Sequence, residues 1–78
     1  MMNVLLFAGL KEKIGNNRVT LPVEETITAG ELRNLIYEKF PQVAGDVFQI
    51  ACNESFVKET HLISTADEVA LVPPVSGG

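Results

Sequence analysis

The stretch TAGELRNLIYEKF, residues 28–40, predicts one amphipathic helix that can cover one face of a sheet. Thr28 is suited to cap its amino end, and Glu31 three residues later completes the pattern of a capping box. The apolar residues recur at helical spacing and share one face: Leu32, Leu35, Ile36 and Phe40. Pro41 disfavours helical geometry at the residue before it, so we expect the helix to end there after about three turns.

Two strands are predicted before this helix. NVLLFA, residues 3–8, is a run of strand-favouring apolar residues, and RVTLPV, residues 18–23, alternates apolar with polar residues. Turn-forming residues occupy positions 14–17, so we expect an antiparallel hairpin with a loose connection. Pro22 cannot donate a hydrogen bond to a neighbouring strand, which favours an edge position for the second strand.

Two further strands are predicted after the helix. They are VFQIAC, residues 47–52, and VALV, residues 69–72. Between them, FVKETHLI at residues 56–63 is compatible with another short strand or with a single helical turn, and its pattern does not decide between these. The chain therefore runs strand, strand, helix, strand, final strand.

This order indicates an α+β fold in which one helix packs on one face of a mixed sheet. If the last strand lies beside the first, the two are parallel and joined by a right-handed crossover. That arrangement is the β-grasp, or ubiquitin-like, fold. Burial of the first strand on both faces would explain why residues 4–7 show no alternation of apolar and polar side chains.

Length and charge limit the classes of function. A chain of 78 residues forms one domain, which we place at residues 1–72, followed by an extended tail at residues 73–78. The net charge is −4 and the six basic residues are scattered, so the sequence offers no positive stripe for nucleic acid. The acidity suits a basic protein surface, or it serves only to keep the domain soluble.

Other features argue against a metal site or a membrane segment. Cys52 is the one cysteine and lies in an apolar run, where we expect a small buried side chain, and His61 has no partner at metal-ligand spacing. The apolar run at residues 4–10 is too short to cross a bilayer, which needs about 20 residues. We expect no nucleic-acid or membrane partner, no stably bound cofactor or metal, and a location in the cytoplasm.

The carboxyl-terminal sequence VPPVSGG, residues 72–78, is the strongest functional signal. Pro73 and Pro74 favour an extended backbone, and the six residues from Pro73 reach at most about 20 Å. Gly77 and Gly78 have no side chains and can thread a narrow channel. The reacting group would then be the terminal carboxylate. A carboxylate is a poor electrophile, so we expect a partner enzyme to activate it, most simply by adenylation with ATP.

Two motifs relate the chain to a known family. LLFAGLKEKIG at residues 5–15 fits the pattern Phe-Ala-x-x-Lys/Arg-Glu-x-x-Gly, and DEVALVPPVSGG at residues 67–78 matches that family's ending. On these motifs the chain resembles the small, sulfur-carrying subunits of molybdopterin synthases over essentially its whole length. Two alternatives share the Gly-Gly ending: the sulfur carriers of the thiamine pathway, and the ubiquitin-like protein modifiers, which form amides with lysines.

The resemblance implies a mechanism and a set of partners. An adenylyltransferase similar to the ubiquitin-activating enzymes would use ATP to convert Gly78 to a glycyl-adenylate, and a sulfur donor would convert that to a thiocarboxylate. The carrier would then dock on the large subunit of the synthase, in a heterotetramer, and donate sulfur to cyclic pyranopterin monophosphate. Two such transfers would build the dithiolene that holds molybdenum. The chain itself would be a non-catalytic, sulfur-donating subunit.

The docking surface is predicted at the base of the tail, because a channel that receives Gly78 must also hold the residues before it. The candidates in the tail are Val72, Pro73, Pro74, Val75 and Ser76. Phe7 on the neighbouring strand is either an exposed anchor at this interface or an ordinary core residue, and the sequence leaves both open. Lys11, just beyond it, could pair with an acidic group of the partner.

Overall fold

The structure, a computed structural model, describes residues 1–74. Seven strands and two helices follow one another along these residues. In chain order they are β1 (Met2–Leu6), α1 (Ala8–Ile14), β2 (Arg18–Leu21), β3 (Thr26–Thr28), α2 (Ala29–Lys39), β4 (Gln49–Cys52), β5 (Ser55–Phe56), β6 (Leu62–Ser64) and β7 (Val69–Val72). A single 3₁₀ turn at Pro41–Val43 follows α2.

Five of the strands form a mixed sheet in the order β2-β1-β7-β4-β5, and β3 pairs with β6 in a separate two-stranded sheet. β1 and β7 are parallel, and the other pairs in the large sheet are antiparallel. The prediction that the first and last strands lie side by side is therefore confirmed, and so is the α+β, β-grasp fold class. β2 lies at the edge of the sheet, as Pro22 indicated.

The main helix, α2, follows the sequence prediction closely. The Thr28 hydroxyl accepts a hydrogen bond from the Glu31 backbone N–H at 3.2 Å, and the Glu31 carboxylate accepts one from the Thr28 N–H at 3.0 Å. The bond from the Thr28 backbone N–H, and after it a bond that the Thr28 hydroxyl donates to the same carboxylate at 2.9 Å, lower the pKa of Glu31. The face toward the sheet buries Leu32 and Ile36 completely. The helix ends at Lys39, because the residue before Pro41 leaves helical geometry.

The connection between β1 and β2 is not the loose one that we predicted, since residues 8–14 form the helix α1. Leu10, which is 2% exposed, anchors this helix to the core. Gly15 ends it in the left-handed conformation at φ 87°, and its N–H donates to the Lys11 carbonyl at 2.8 Å. Gly15 thus acts as a helix C-cap, whereas residues 14–17 were interpreted only as a turn.

The expectation that β1 is buried on both faces is wrong. Met2, Val4 and Leu6 face the core and are at most 2% exposed, but Asn3 is exposed and Leu5 is only half-buried. The strand also stops at Leu6, earlier than predicted. The side chains of the apolar run therefore alternate between two faces. Those of Met2, Val4 and Leu6 fill the core, and that of Leu5 lies on the outer face of the sheet.

Residues 56–63 are divided between two strands rather than forming one element. Phe56 closes β5 after a turn in which Asn53 and Glu54 both have positive φ, at 53° and 71°. The Asp67 carboxylate ties this turn to the loop before β7, accepting from the Ser64 N–H at 2.8 Å and from the Asn53 amide at 3.0 Å. The same bonds, the one from Ser64 first, lower the pKa of Asp67. A rigid turn at this point fixes the position of Phe56.

Over residues 1–74, neither helix has the length and apolar character that crossing a membrane requires.

Candidate functional site

The tail leaves the domain beside the amino end of α1. Because β1 and β7 are parallel, they end at the same edge of the sheet, where Leu6 pairs with Leu71. Phe7 follows the end of β1, and Val72, half-buried, is the last residue of β7. Pro73 and Pro74 come next. The predicted site residues Val75, Ser76, Gly77 and Gly78 lie outside the described residues.

Phe7 and Lys11, two of the predicted site residues, lie beside this exit. Phe7 is 48% exposed, which excludes the interpretation of its side chain as an ordinary core residue. It occupies the N-cap position of α1 with an extended backbone, and Lys11 is exposed one turn further along the helix. Together with their neighbours they line a hollow of about 370 Å³, which we call the α1 hollow: Leu5, Leu6, Phe7, Ala8, Lys11 and Asn17.

A second, smaller hollow lies on the other side of the exit. It has a volume of about 170 Å³ and is lined by Gln49, Phe56, Val72, Pro73 and Pro74. Phe56 is 62% exposed and was not among the predicted site residues. No pattern in the sequence marks it, because its strand has only two residues and its place depends on which strand it pairs with. The base of the tail is therefore flanked by two aromatic side chains.

An apolar band on the outer face of the sheet connects these two regions. Leu5 pairs with Ala70, Ala70 with Ala51, and Ala51 with Phe56, so these side chains share one face in a row across the sheet. The two alanines are small and leave the band shallow between the larger side chains. Ala51 is only 8% exposed and Leu5 is half-buried, whereas Phe56 is 62% exposed, so most of the exposed apolar surface of this row lies at Phe56.

Cys52 lies away from this surface, in the core. It is 6% exposed and pairs with Val69 on the inner face of the sheet. Burial, with a smaller effect of Asp67, raises the pKa of the thiol, so the nucleophilic thiolate is disfavoured. Over residues 1–74, no group of three or more His, Cys, Asp or Glu side chains is arranged to hold a metal ion.

We expect Cys52→Ala to lower the free energy of unfolding by about 1–2 kcal/mol, because it removes a small buried side chain. If the chain carries sulfur at its carboxyl terminus, as the motif resemblance implies, the variant should accept sulfur as the wild type does. Urea denaturation and intact mass after incubation with the activating enzyme would measure the two effects. A folded Cys52→Ala protein that no longer accepts sulfur would show that the thiol takes part in the relay.

Comparison with known proteins identifies the family of this chain. The sequence model of the ThiS family matches residues 4–78. The chain belongs to the ThiS family. A relative described as a molybdopterin synthase sulfur carrier subunit, from Dictyostelium discoideum, is 35% identical over 96% of this chain and 93% of its own length. The resemblance inferred from the two motifs is confirmed.

Solved structures place this ThiS-family chain among β-grasp proteins. SAMP1 from Haloferax volcanii matches with a TM-score of 0.82 and 28% identity, over 99% of this chain and 98% of that one. A chain from the complex of subunits 1 and 2 of the Helicobacter pylori molybdopterin-converting factor matches with a TM-score of 0.67 and 22% identity, over 99% and 97% of the two chains. At that identity the second likeness concerns the fold alone.

Proposed function

We propose that this ThiS-family chain is the sulfur carrier subunit of a molybdopterin synthase and that Gly78 carries the sulfur as a thiocarboxylate. The observation that supports this most directly is the exit of the tail at the end of β7, between two exposed aromatic side chains. A carrier needs this arrangement, because its partner must hold the domain while the reactive end reaches into a separate active site. The full-length similarity to a molybdopterin synthase sulfur carrier subunit supports the same assignment.

The chemistry begins at the terminal carboxylate of Gly78. An adenylyltransferase uses ATP to form the glycyl-adenylate and releases pyrophosphate. The sulfur donor supplies hydrosulfide, which attacks the acyl carbon; AMP leaves, and the carboxyl group carries sulfur in place of one oxygen. ATP is thus a co-substrate of the activating enzyme and is not held by the carrier. Transfer of sulfur to cyclic pyranopterin monophosphate regenerates the carboxylate, and two transfers complete the dithiolene.

Recognition by the large subunit uses the apolar band and the two hollows beside the tail. Phe7 is a suitable anchor because a half-exposed aromatic ring can bury a large apolar area when a partner covers it. Lys11 contributes a positive charge at the rim, on a chain whose net charge is −4. The adenylyltransferase must also reach the tail, so we propose that it docks on an overlapping surface.

In this proposal, the chain supplies the sulfur and the large subunit supplies the catalytic groups. The assembly is a heterotetramer in which two carriers flank a dimer of large subunits, located in the cytoplasm. A buried Cys52 thiol with a raised pKa suits such a carrier, since it offers no competing nucleophile to the activated carboxyl group.

Reconstitution tests this function. The carrier, its adenylyltransferase, ATP and a sulfur donor should yield a protein whose mass has increased by the exchange of one oxygen for sulfur. With the large subunit and cyclic pyranopterin monophosphate, the charged carrier should then give molybdopterin. A thiazole product would indicate the thiamine-pathway carrier instead, and an amide with a lysine would indicate a protein modifier. An unchanged mass, under conditions that charge an authentic relative, would contradict all sulfur-carrier assignments.

A further inference from the structure

The backbone at Ala8 has a conformation that alanine disfavours. Its φ is 50°, in the left-handed region, where a side chain at Cβ crowds the backbone. The other two non-glycine residues with positive φ among residues 1–74 are Asn53 and Glu54, which form the turn between β4 and β5. Ala8 instead begins a helix, and it has no polar side chain with which to form a compensating local hydrogen bond.

Gly9, the residue after Ala8, shows that the backbone does not account for alanine at position 8. Gly9 has no positive φ, and a Cβ added to it would meet no atom within 4 Å. For the backbone alone, the reverse order would be easier, with glycine at the left-handed position and alanine inside the helix. The sequence has a methyl group where it strains the backbone and none where it would be tolerated.

The fold does not explain the methyl group at position 8. Ala8 is exposed, so its Cβ adds nothing to the buried core, which Leu10 reaches from the same helix. Ala8 instead lines the α1 hollow, together with Phe7 and Lys11. An apolar group that strains the backbone and faces solvent in the free protein gains its use when something fills the hollow.

The charge at the rim of the hollow indicates what fills it. Lys13 forms an ion pair with Asp46 at 2.8 Å. Among residues 1–74, by contrast, no carboxylate lies within ion-pair distance of Lys11. The walls contributed by Leu5, Phe7 and Ala8 are apolar. The hollow is therefore suited to an apolar side chain that has a carboxylate close to it.

We propose that Ala8 is a specificity-determining residue of the docking surface, whose methyl group contacts an apolar side chain of the large subunit while Lys11 pairs with a neighbouring carboxylate. The inference rests on the proposed function, because it takes the large subunit as the partner. Beyond that function, the inference is that the alanine at position 8 contributes to binding. The strained backbone holds its methyl group against the partner.

The test compares Ala8→Gly with Gly9→Ala, which changes one methyl group at the adjacent position. Affinity for the large subunit, measured by titration calorimetry, should fall by about fourfold or more in Ala8→Gly, as expected for the loss of one buried methyl group. Its urea midpoint should be no lower than that of the wild type. Glycine relieves the backbone strain at positive φ, and this gain offsets the greater conformational freedom of the unfolded variant. Gly9→Ala should bind as the wild type does.

The possible results separate the role of Ala8 from the proposed function. Wild-type affinity in Ala8→Gly, with a wild-type carrier that binds normally, would overturn the role of Ala8 and leave the proposed function intact. A marked loss of stability in Ala8→Gly would show that the methyl group serves the fold, and this too would overturn the inference. Failure of the wild-type carrier to bind the large subunit at all would overturn the proposed function together with the inference.

Discussion

Deletion of Gly78 is expected to reduce sulfur transfer by at least about 100-fold while the free energy of unfolding stays nearly unchanged. The shortened chain still ends in a glycine carboxylate, but its reach from β7 falls by ~3.3–3.6 Å. Displacement of a reacting group by as little as about 1 Å can cost a factor of 100 in rate. Among residues 1–74 the buried core ends at Leu71, seven residues before Gly78, so we expect the core to fold without Gly78.

Intact mass after activation and the rate of molybdopterin formation would measure the effect of this deletion. A matched control removes Met1, which is 69% exposed at the other end of the chain and should affect neither activity nor unfolding. Retention of sulfur transfer by the Gly78 deletion would contradict the requirement for Gly78 and for the full reach of the tail. A loss of several kcal/mol in unfolding free energy would instead indicate that the end of the chain is packed structure.

Phe7→Ala is expected to weaken binding to the large subunit by about 2 kcal/mol or more, which corresponds to roughly 30-fold in affinity. An aromatic ring that is 48% exposed in the free carrier can gain substantial burial when the partner covers it. Folding should change much less, because the strand residues that fill the core are Met2, Val4 and Leu6. Calorimetric titration and urea denaturation of the same variant separate the two effects.

Leu62→Ala is the matched control for Phe7→Ala. Leu62 is 59% exposed, but it lies in the two-stranded sheet and lines neither hollow. It should bind the large subunit as the wild type does. If Phe7→Ala lost ~3–5 kcal/mol of stability and yet bound normally where folded, the half-exposed ring would serve the fold and not the interface. The interface would then depend on Phe56, Val72 and the tail.

Much of the architecture could be predicted from the sequence, because it depends on interactions between residues that are close in the chain. The capping box at Thr28 and Glu31, the 3.6-residue spacing of the apolar side chains and Pro41 act within a few residues, so α2 was predicted from the chain alone. The order of strands around that helix was sufficient for the β-grasp fold. The prediction of an extended tail also rests on local properties, because Pro73, Pro74 and the two glycines act on the backbone without any tertiary contact.

The features that the sequence did not reveal depend on partners distant in the chain. The helix α1 has seven residues, too short to be stable alone, and it forms because Leu10 packs into the core. The apolar run of β1 does not show which side chains face inward, since that choice is made by pairing with β2 and β7. The same pairing leaves Phe7 exposed.

Sequence alone therefore determined that this chain is a helix-covered sheet and predicted an extended Gly-Gly tail, and the tertiary structure decided what surrounds the base of that tail. Phe56 joins the surface only because β5 pairs with β4. Ala8 can be recognised as unusual only from its backbone angle. The physical reason is range: caps, helical spacing and prolines act between neighbours in sequence, whereas strand register and exposure are set by residues that meet only after folding.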